Sequence, residues 1–256
     1  MKFSDYKDDI VYGFNTRKGG VSSGVYESMN LSLTLPDDAE KVRKNYELWL
    51  QSLGISPRDV VMGLQTHTNH VVRVDESNKG QGLFRKRMKD VDGLITNVPG
   101  VALVTYHADC TPVYLYDPVK KAIGMVHAGW RGTVQEISGV AVRKMEEEFG
   151  SNPKDMVAMI GPCISQEHFE CDRDVVDAVH AMSVDAEEMI SYDAPTGKYH
   201  VSIAGVNRLV LQATGILEDN IDMEDTCTYG NPERYYSHRR DGKQRGGHCA
   251  LLMLCN

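Results

Sequence analysis

An excess of basic charge is missing from this chain: 28 Lys and Arg against 36 Asp and Glu leave a formal net charge of −8. Neutralising nucleic-acid phosphates needs a clustered surplus of cations, so no nucleic-acid partner is expected and any bound anion must be captured locally. No apolar run approaches a membrane span, and Met1-Lys2-Phe3-Ser4-Asp5 carries acid where a signal peptide needs apolar residues. A cytoplasmic protein without a membrane partner is therefore expected. The six cysteines, Cys110, Cys163, Cys171, Cys227, Cys249 and Cys255, include no C-x-x-C and no close pairing, so reduced thiols are the default. Neither G-x-G-x-x-G nor a Walker loop is present, and the nine histidines contain no H-x-H pair.

What is present fits an ordinary globular chain, with 41% hydrophobic and 25% charged residues over 256 positions. A single domain over 1–256 is expected. Asp38 caps a helix whose apolar face is Val42, Tyr46, Trp49, Leu50 and Leu53, stopping at Gly54. Strands follow, to Leu64 and over 71–74, and the basic, glycine-containing segment 78–90 has no steady period and is read as a mobile loop. Thr133-Val134-Gln135-Glu136 is a capping box ahead of Val134, Ile137, Ala141, Met145 and Phe149 at helical spacing. A strand over 156–160, helices over 174–182 and 202–215, and a last strand over 250–254 complete the pattern. The interleaved, short strands predict an α+β fold, with mixed sheets flanked by helices.

Three apolar segments end on residues that can bind a transition metal: 60–64 on Gln65-Thr66-His67, 101–106 on His107-Ala108-Asp109-Cys110, and 122–126 on His127. Two imidazoles and a thiolate suit zinc, with copper as the alternative. Taken singly, a strand-end histidine is more often a hydrogen-bonded core residue, and a lone cysteine an inert thiol. The convergence of three favours a site.

Together with Thr16-Arg17-Lys18-Gly19-Gly20-Val21-Ser22, Gln65-Thr66-His67, Ala108-Asp109-Cys110-Thr111-Pro112-Val113, His127-Ala128-Gly129-Trp130-Arg131-Gly132, Ile160-Gly161-Pro162 and Ser237-His238-Arg239-Arg240-Asp241-Gly242, the chain resembles the YfiH or laccase-domain family. The resemblance implies metal ligands at His67, Cys110 and His127, and a fold related to the catalytic domain of cytotoxic necrotizing factors. It implies purine nucleoside phosphorylase activity with adenosine deaminase activity, members of the family having earlier been described as polyphenol oxidases. Two departures stand out: His107 replaces the usual threonine before Ala-Asp-Cys, and Lys243-Gln244-Arg245-Gly246-Gly247-His248 disturbs the usual Thr-Gly-Arg tail.

For phosphorolysis, the Gly129-Trp130-Arg131-Gly132 turn feeding a helix at Thr133 is the expected phosphate site, with Arg17, Gln65 and Arg240 completing the substrate contacts. For deamination, Asp109 is the nearest carboxylate to the thiolate and the expected proton shuttle, although adjacent side chains in a strand face opposite ways. Cys110, His127 and Arg131 complete the expected catalytic set. Three other readings stay open: a copper-dependent polyphenol oxidase, a hydrolase in which Cys110 attacks with His127 as base, and a binding module in which His107 closes a structural zinc site. Oligomeric state is not legible.

Overall fold

The computed structural model describes residues 2–255. In chain order the strands begin β1 (Ile10–Phe14), β2 (Val60–Leu64), β3 (Val71–Arg73), β4 (Met88–Lys89), β5 (Gly93–Thr96), β6 (Ala102–His107) and β7 (Thr111–Asp117). They continue with β8 (Ala122–Ala128), β9 (Val157–Ile160), β10 (Glu170–Cys171), β11 (Ile190–Asp193), β12 (Lys198–Val201), β13 (Ile221–Met223) and β14 (His248–Leu254). The helices are α1 (Ala39–Ser52), α2 (Trp130–Val134), α3 (Ile137–Phe149), α4 (Arg173–His180), α5 (Ile203–Ala213) and α6 (His238–Asp241).

Two large mixed sheets, in the orders β1-β14-β6-β2-β4 and β13-β9-β7-β8-β5-β3, stack face to face, and β10, β12 and β11 form a small third sheet. Period-two alternation explains the stacking. Leu103 of β6 and Leu252 of β14 meet Ile123 and Met125 of β8 in the core between the sheets, whereas Val104 and Leu251 turn outward to Tyr46, Trp49 and Leu50 of α1. Val126 and Ala128 of β8 turn the other way, onto Ile137, Ala141 and Met145 of α3. The expected α+β architecture is therefore a helix–sheet–sheet–helix stack. No helix among the described residues is long and apolar enough to cross a membrane.

Helix α1 starts where its cap predicts, with the Asp38 carboxylate accepting from the Glu40 and Lys41 amides. The segment after Asn78 departs from the mobile-loop expectation. The Gly80 amide donates to the Val60 carbonyl, the Met62 amide donates to the Gln81 carbonyl, and β4 pairs in parallel with β2. Backbone bonds to a neighbouring strand hold it without needing any side-chain period. The capping box is also corrected: the helix begins at Trp130, Thr133 lies buried inside it, and Glu136 adopts a left-handed conformation that separates α2 from α3. The Thr133 amide donates to the Gly129 carbonyl, so it is not free for an anion.

Candidate metal centre

The β-sheet register brings the three strand ends together. β7 and β8 form an antiparallel hairpin that sets Pro112 opposite His127, so Cys110, just ahead of β7, lies beside the end of β8. His67 arrives on the turn after β2 in a left-handed conformation (φ 64°), as does Asp109 (φ 82°), next to Cys110. Side chains other than glycine rarely occupy that region, and such local strain concentrates at functional sites.

One ligand atom from each of His67, Cys110 and His127 lies within 4.8 Å of the other two. Cys110 Sγ is 3.8 Å from His67 Nε2; tetrahedral zinc with ordinary bond lengths would set such a pair about 3.6 Å apart. The site is also cleared for this set. A Cβ on Gly129 would stand 2.6 Å from His67 Cδ2 and 3.2 Å from Cys110 Sγ, so only glycine leaves the cradle open. His67 is exposed, Cys110 half-buried and His127 buried, which leaves one side of the triad facing solvent.

Electrostatics couple the three side chains. Burial alone would raise the Cys110 pKa, but the His127 charge and the hydrogen bonds of His127 and His67 bring it down to about 6. Burial disfavours charge on His127 as well, yet Cys110 and Asp92 raise its pKa to about 9. Asp92 is fully buried, and although burial opposes its charge, the His127 ring and the Thr68 and Thr66 amides hold it well below the usual carboxylate range. Its Oδ1 accepts from His127 Nδ1 at 2.9 Å and from the His67 amide, while Oδ2 accepts from the Thr66 and Thr68 amides and from Thr68 Oγ1. One carboxylate thus orients the imidazole of one ligand and the backbone of another. Sequence reading missed it. Its only signal was an acid standing directly before the buried strand β5.

His107 does not join the triad. Its Nδ1 donates to the Cys110 carbonyl at 3.0 Å and its Nε2 accepts from Thr105 Oγ1 at 2.7 Å, so both nitrogens are occupied and burial keeps the ring neutral. The structural-zinc reading that used it as a fourth ligand is corrected on that geometry. His107→Thr should leave the metal content unchanged; elemental analysis showing loss of metal would return His107 to the coordination sphere.

The other expected site residues divide. Arg131 lines a cavity of about 380 Å³ beside the triad, with its guanidinium 4.3 Å over the Trp130 ring. Asp109 lines the same cavity, but its oxygens accept from Thr228 Oγ1 at 2.6 Å, Ser237 Oγ at 2.9 Å and the Arg239 amide at 2.7 Å. These bonds fasten α6 to the Cys110 turn. Gln65 spends its side-chain amide on the backbone N–H and carbonyl of Tyr106. Arg17 donates to the Glu27 and Pro232 carbonyls and lines a different pocket. Arg240 is used up on Thr228, Tyr229, Tyr235 and Asp241. Neither arginine reaches the triad, because both tie loops together through carbonyl oxygens.

Comparison with known proteins bears on this centre. A family model described as multi-copper polyphenol oxidoreductase laccase matches residues 11–255. The chain belongs to this family. It is 37% identical to purine nucleoside phosphorylase YlmD of Bacillus subtilis over 93% of this chain and 86% of the relative. It is 31% identical to adenosine deaminase RL5 of an unknown prokaryotic organism, over 92% of this chain and 91% of that one. Among solved structures, YfiH of Bacillus licheniformis superposes with a TM-score of 0.94 at 31% identity, covering 98% of this chain and 94% of the other.

Proposed function

We propose that the chain is a metal-dependent purine nucleoside phosphorylase, releasing free base and ribose 1-phosphate from adenosine, inosine and S-methyl-5'-thioadenosine, with adenosine deaminase activity at the same site. The observation that carries this reading is the position of the His67, Cys110 and His127 triad at the meeting of two cavities that share His67 and Cys110. One includes Trp130, Ile164, Phe169 and Ile203, a surface suited to the flat, largely apolar face of a purine, beside Asp109, Arg131 and Arg239. The other, about 300 Å³, is lined chiefly by polar side chains. The names of the Bacillus subtilis and RL5 relatives support the two activities.

Two imidazoles and a thiolate with an open side match a catalytic zinc site. When bound, zinc supplies a Lewis acid that polarises an oxygen ligand and lowers the pKa of a water. The chain's own residues do the rest. Asp92 holds the His127 Nδ1 proton, which leaves Nε2 as the ligating atom, and fixes the His67 turn through three backbone amides. Asp109 keeps α6 against the site through the Ser237 hydroxyl and the Arg239 amide. Trp130 and Phe169 orient the base and exclude water from the sugar. Copper is the alternative metal; however, the described residues form one three-donor cluster, whereas a multicopper oxidase requires several, which makes polyphenol oxidation the weaker reading. Six free cysteines support a cytoplasmic location, and the acidic net charge supports small-molecule partners over nucleic acid.

The test is to incubate zinc-loaded protein with adenosine and with inosine, with and without phosphate, and to separate base, ribose 1-phosphate and inosine. Base release should saturate with phosphate, and inosine formation from adenosine should not require it. Base release equally fast without phosphate would contradict phosphorolysis, and oxygen uptake with phenols but no nucleoside turnover would favour the oxidase.

A further inference from the structure

We propose that the anion site lies on the polar side of the triad, where Arg245 and Arg87 bind inorganic phosphate, and not at the Arg131 turn. This deepens the phosphorylase reading and rests on it for the identity of the anion.

The cavity that holds both arginines also touches His67, Cys110 and His127. None of the residues lining it is Asp or Glu, although the chain carries 36 acids. Arg245 Nε is buried without a hydrogen-bond partner among the described residues. The rest of the guanidinium is poorly served: one nitrogen donates to the adjacent Gly246 carbonyl and another stands 3.4 Å from His238 Nδ1, which is also bonded to the Gly242 carbonyl. Among the described residues no carboxylate forms an ion pair with it. A guanidinium taken out of water without a counter-charge in contact is costly, and a bound anion is an ordinary way that cost is met. Burial works against its charge here and outweighs the attraction of Asp109, Cys110 and Asp241, none of which bonds it, lowering its pKa from the usual arginine value. Arg87 lines the same cavity with its guanidinium 5.7 Å over the Tyr106 ring.

Arg131, in contrast, is exposed and stacked on Trp130 in the Trp130 cavity, which shares His67, Ala108, Cys110 and His238 with the one that holds Arg245. Base and phosphate therefore approach the triad from two sides. A phosphate oxygen forms the new bond to the anomeric carbon, and the glycosidic C–N bond breaks. Its electron pair leaves with the purine, which takes up a proton.

The test uses zinc-loaded protein and inorganic phosphate, with phosphate affinity read by calorimetry and the KM values for phosphate and inosine read separately. Arg245→Ala and Arg87→Ala should each weaken phosphate binding and raise its KM by about tenfold or more, the loss of one charge-assisted contact, while the inosine KM changes little. Arg245→Lys should fall between, since it keeps the charge and loses the fork. This variant and Arg87→Ala carry the test if Arg245→Ala fails to fold. Arg131→Ala should move the inosine KM instead. If phosphate affinity is untouched by all three changes in the polar cavity, or falls only in Arg131→Ala, the assignment is overturned. If wild-type protein binds phosphate through Arg245 but cleaves no nucleoside, the anion site stands and the phosphorylase reading fails.

Discussion

Cys110→Ala should retain its fold and lose both its metal and its nucleoside turnover, with activity falling by about 10³-fold or more, equivalent to about 4 kcal/mol of transition-state stabilisation. The size of the effect follows from the coordination arithmetic: with the thiolate gone, two imidazoles remain, one of them exposed on the His67 turn. Fold should survive because Cys110 is half-buried at a turn outside the hydrophobic core, so the stability cost stays near about 1 kcal/mol. Elemental analysis, thermal unfolding and phosphate-dependent base release on one preparation separate these effects. Unchanged zinc content, or loss of activity explained entirely by unfolding, would contradict the assignment. Full activity with unchanged metal would also remove the hydrolase reading, in which Cys110 is the nucleophile.

Asp92→Ala should damage the protein more broadly. It removes an acceptor for the His127 ring, three backbone amides and the Thr68 hydroxyl, all in or beside buried structure. Leaving those donors unmet should lower stability by about 3 kcal/mol, and loosening two ligands at once should weaken metal affinity about 10- to 100-fold. Asp92→Asn should rescue little. Each carboxylate oxygen accepts from at least two donors, so an amide nitrogen placed at either position faces N–H or O–H groups. Chelator competition gives the affinity and denaturant unfolding the stability; an Asn variant equal to wild type in both would show that neither charge nor acceptor geometry at Asp92 matters. Because the folded-state pKa of Asp92 lies below its unfolded value, its contribution is complete above the unfolded carboxylate range. It is lost only as the pH falls through the depressed folded value.

The triad was legible because its members share a local signature, a polar residue closing an apolar strand. The same logic could not find Asp92, whose partners lie 24 to 26 positions away on the His67 turn and 35 away at His127. Only the pairing of β5 with β8, which sets Gly93 opposite Val126, brings it under the imidazole. The Thr133 capping box failed for a related reason: Gly129 and Trp130 had already started the helix, which ends at Val134 ahead of the left-handed Glu136. The arginines could not be told apart by sequence, because charge in a glycine turn looks the same whether it faces a ligand or a carbonyl. Arg17 and Arg240 turned out to face carbonyls, while Arg245, in the tail that departs from the family pattern, lines the site. The two-sheet stack itself was readable as an α+β class, but strand order was not, since it depends on which edges pair.

In the proposed function, one metal ion held by His67, Cys110 and His127 sustains nucleoside turnover. Titrating zinc into metal-free protein while recording phosphate-dependent ribose 1-phosphate formation tests it most directly. Activity should rise from near zero and saturate at one zinc per chain, with Cys110→Ala remaining flat throughout. Full turnover before any metal is added, or a rise in Cys110→Ala that parallels wild type, would contradict it.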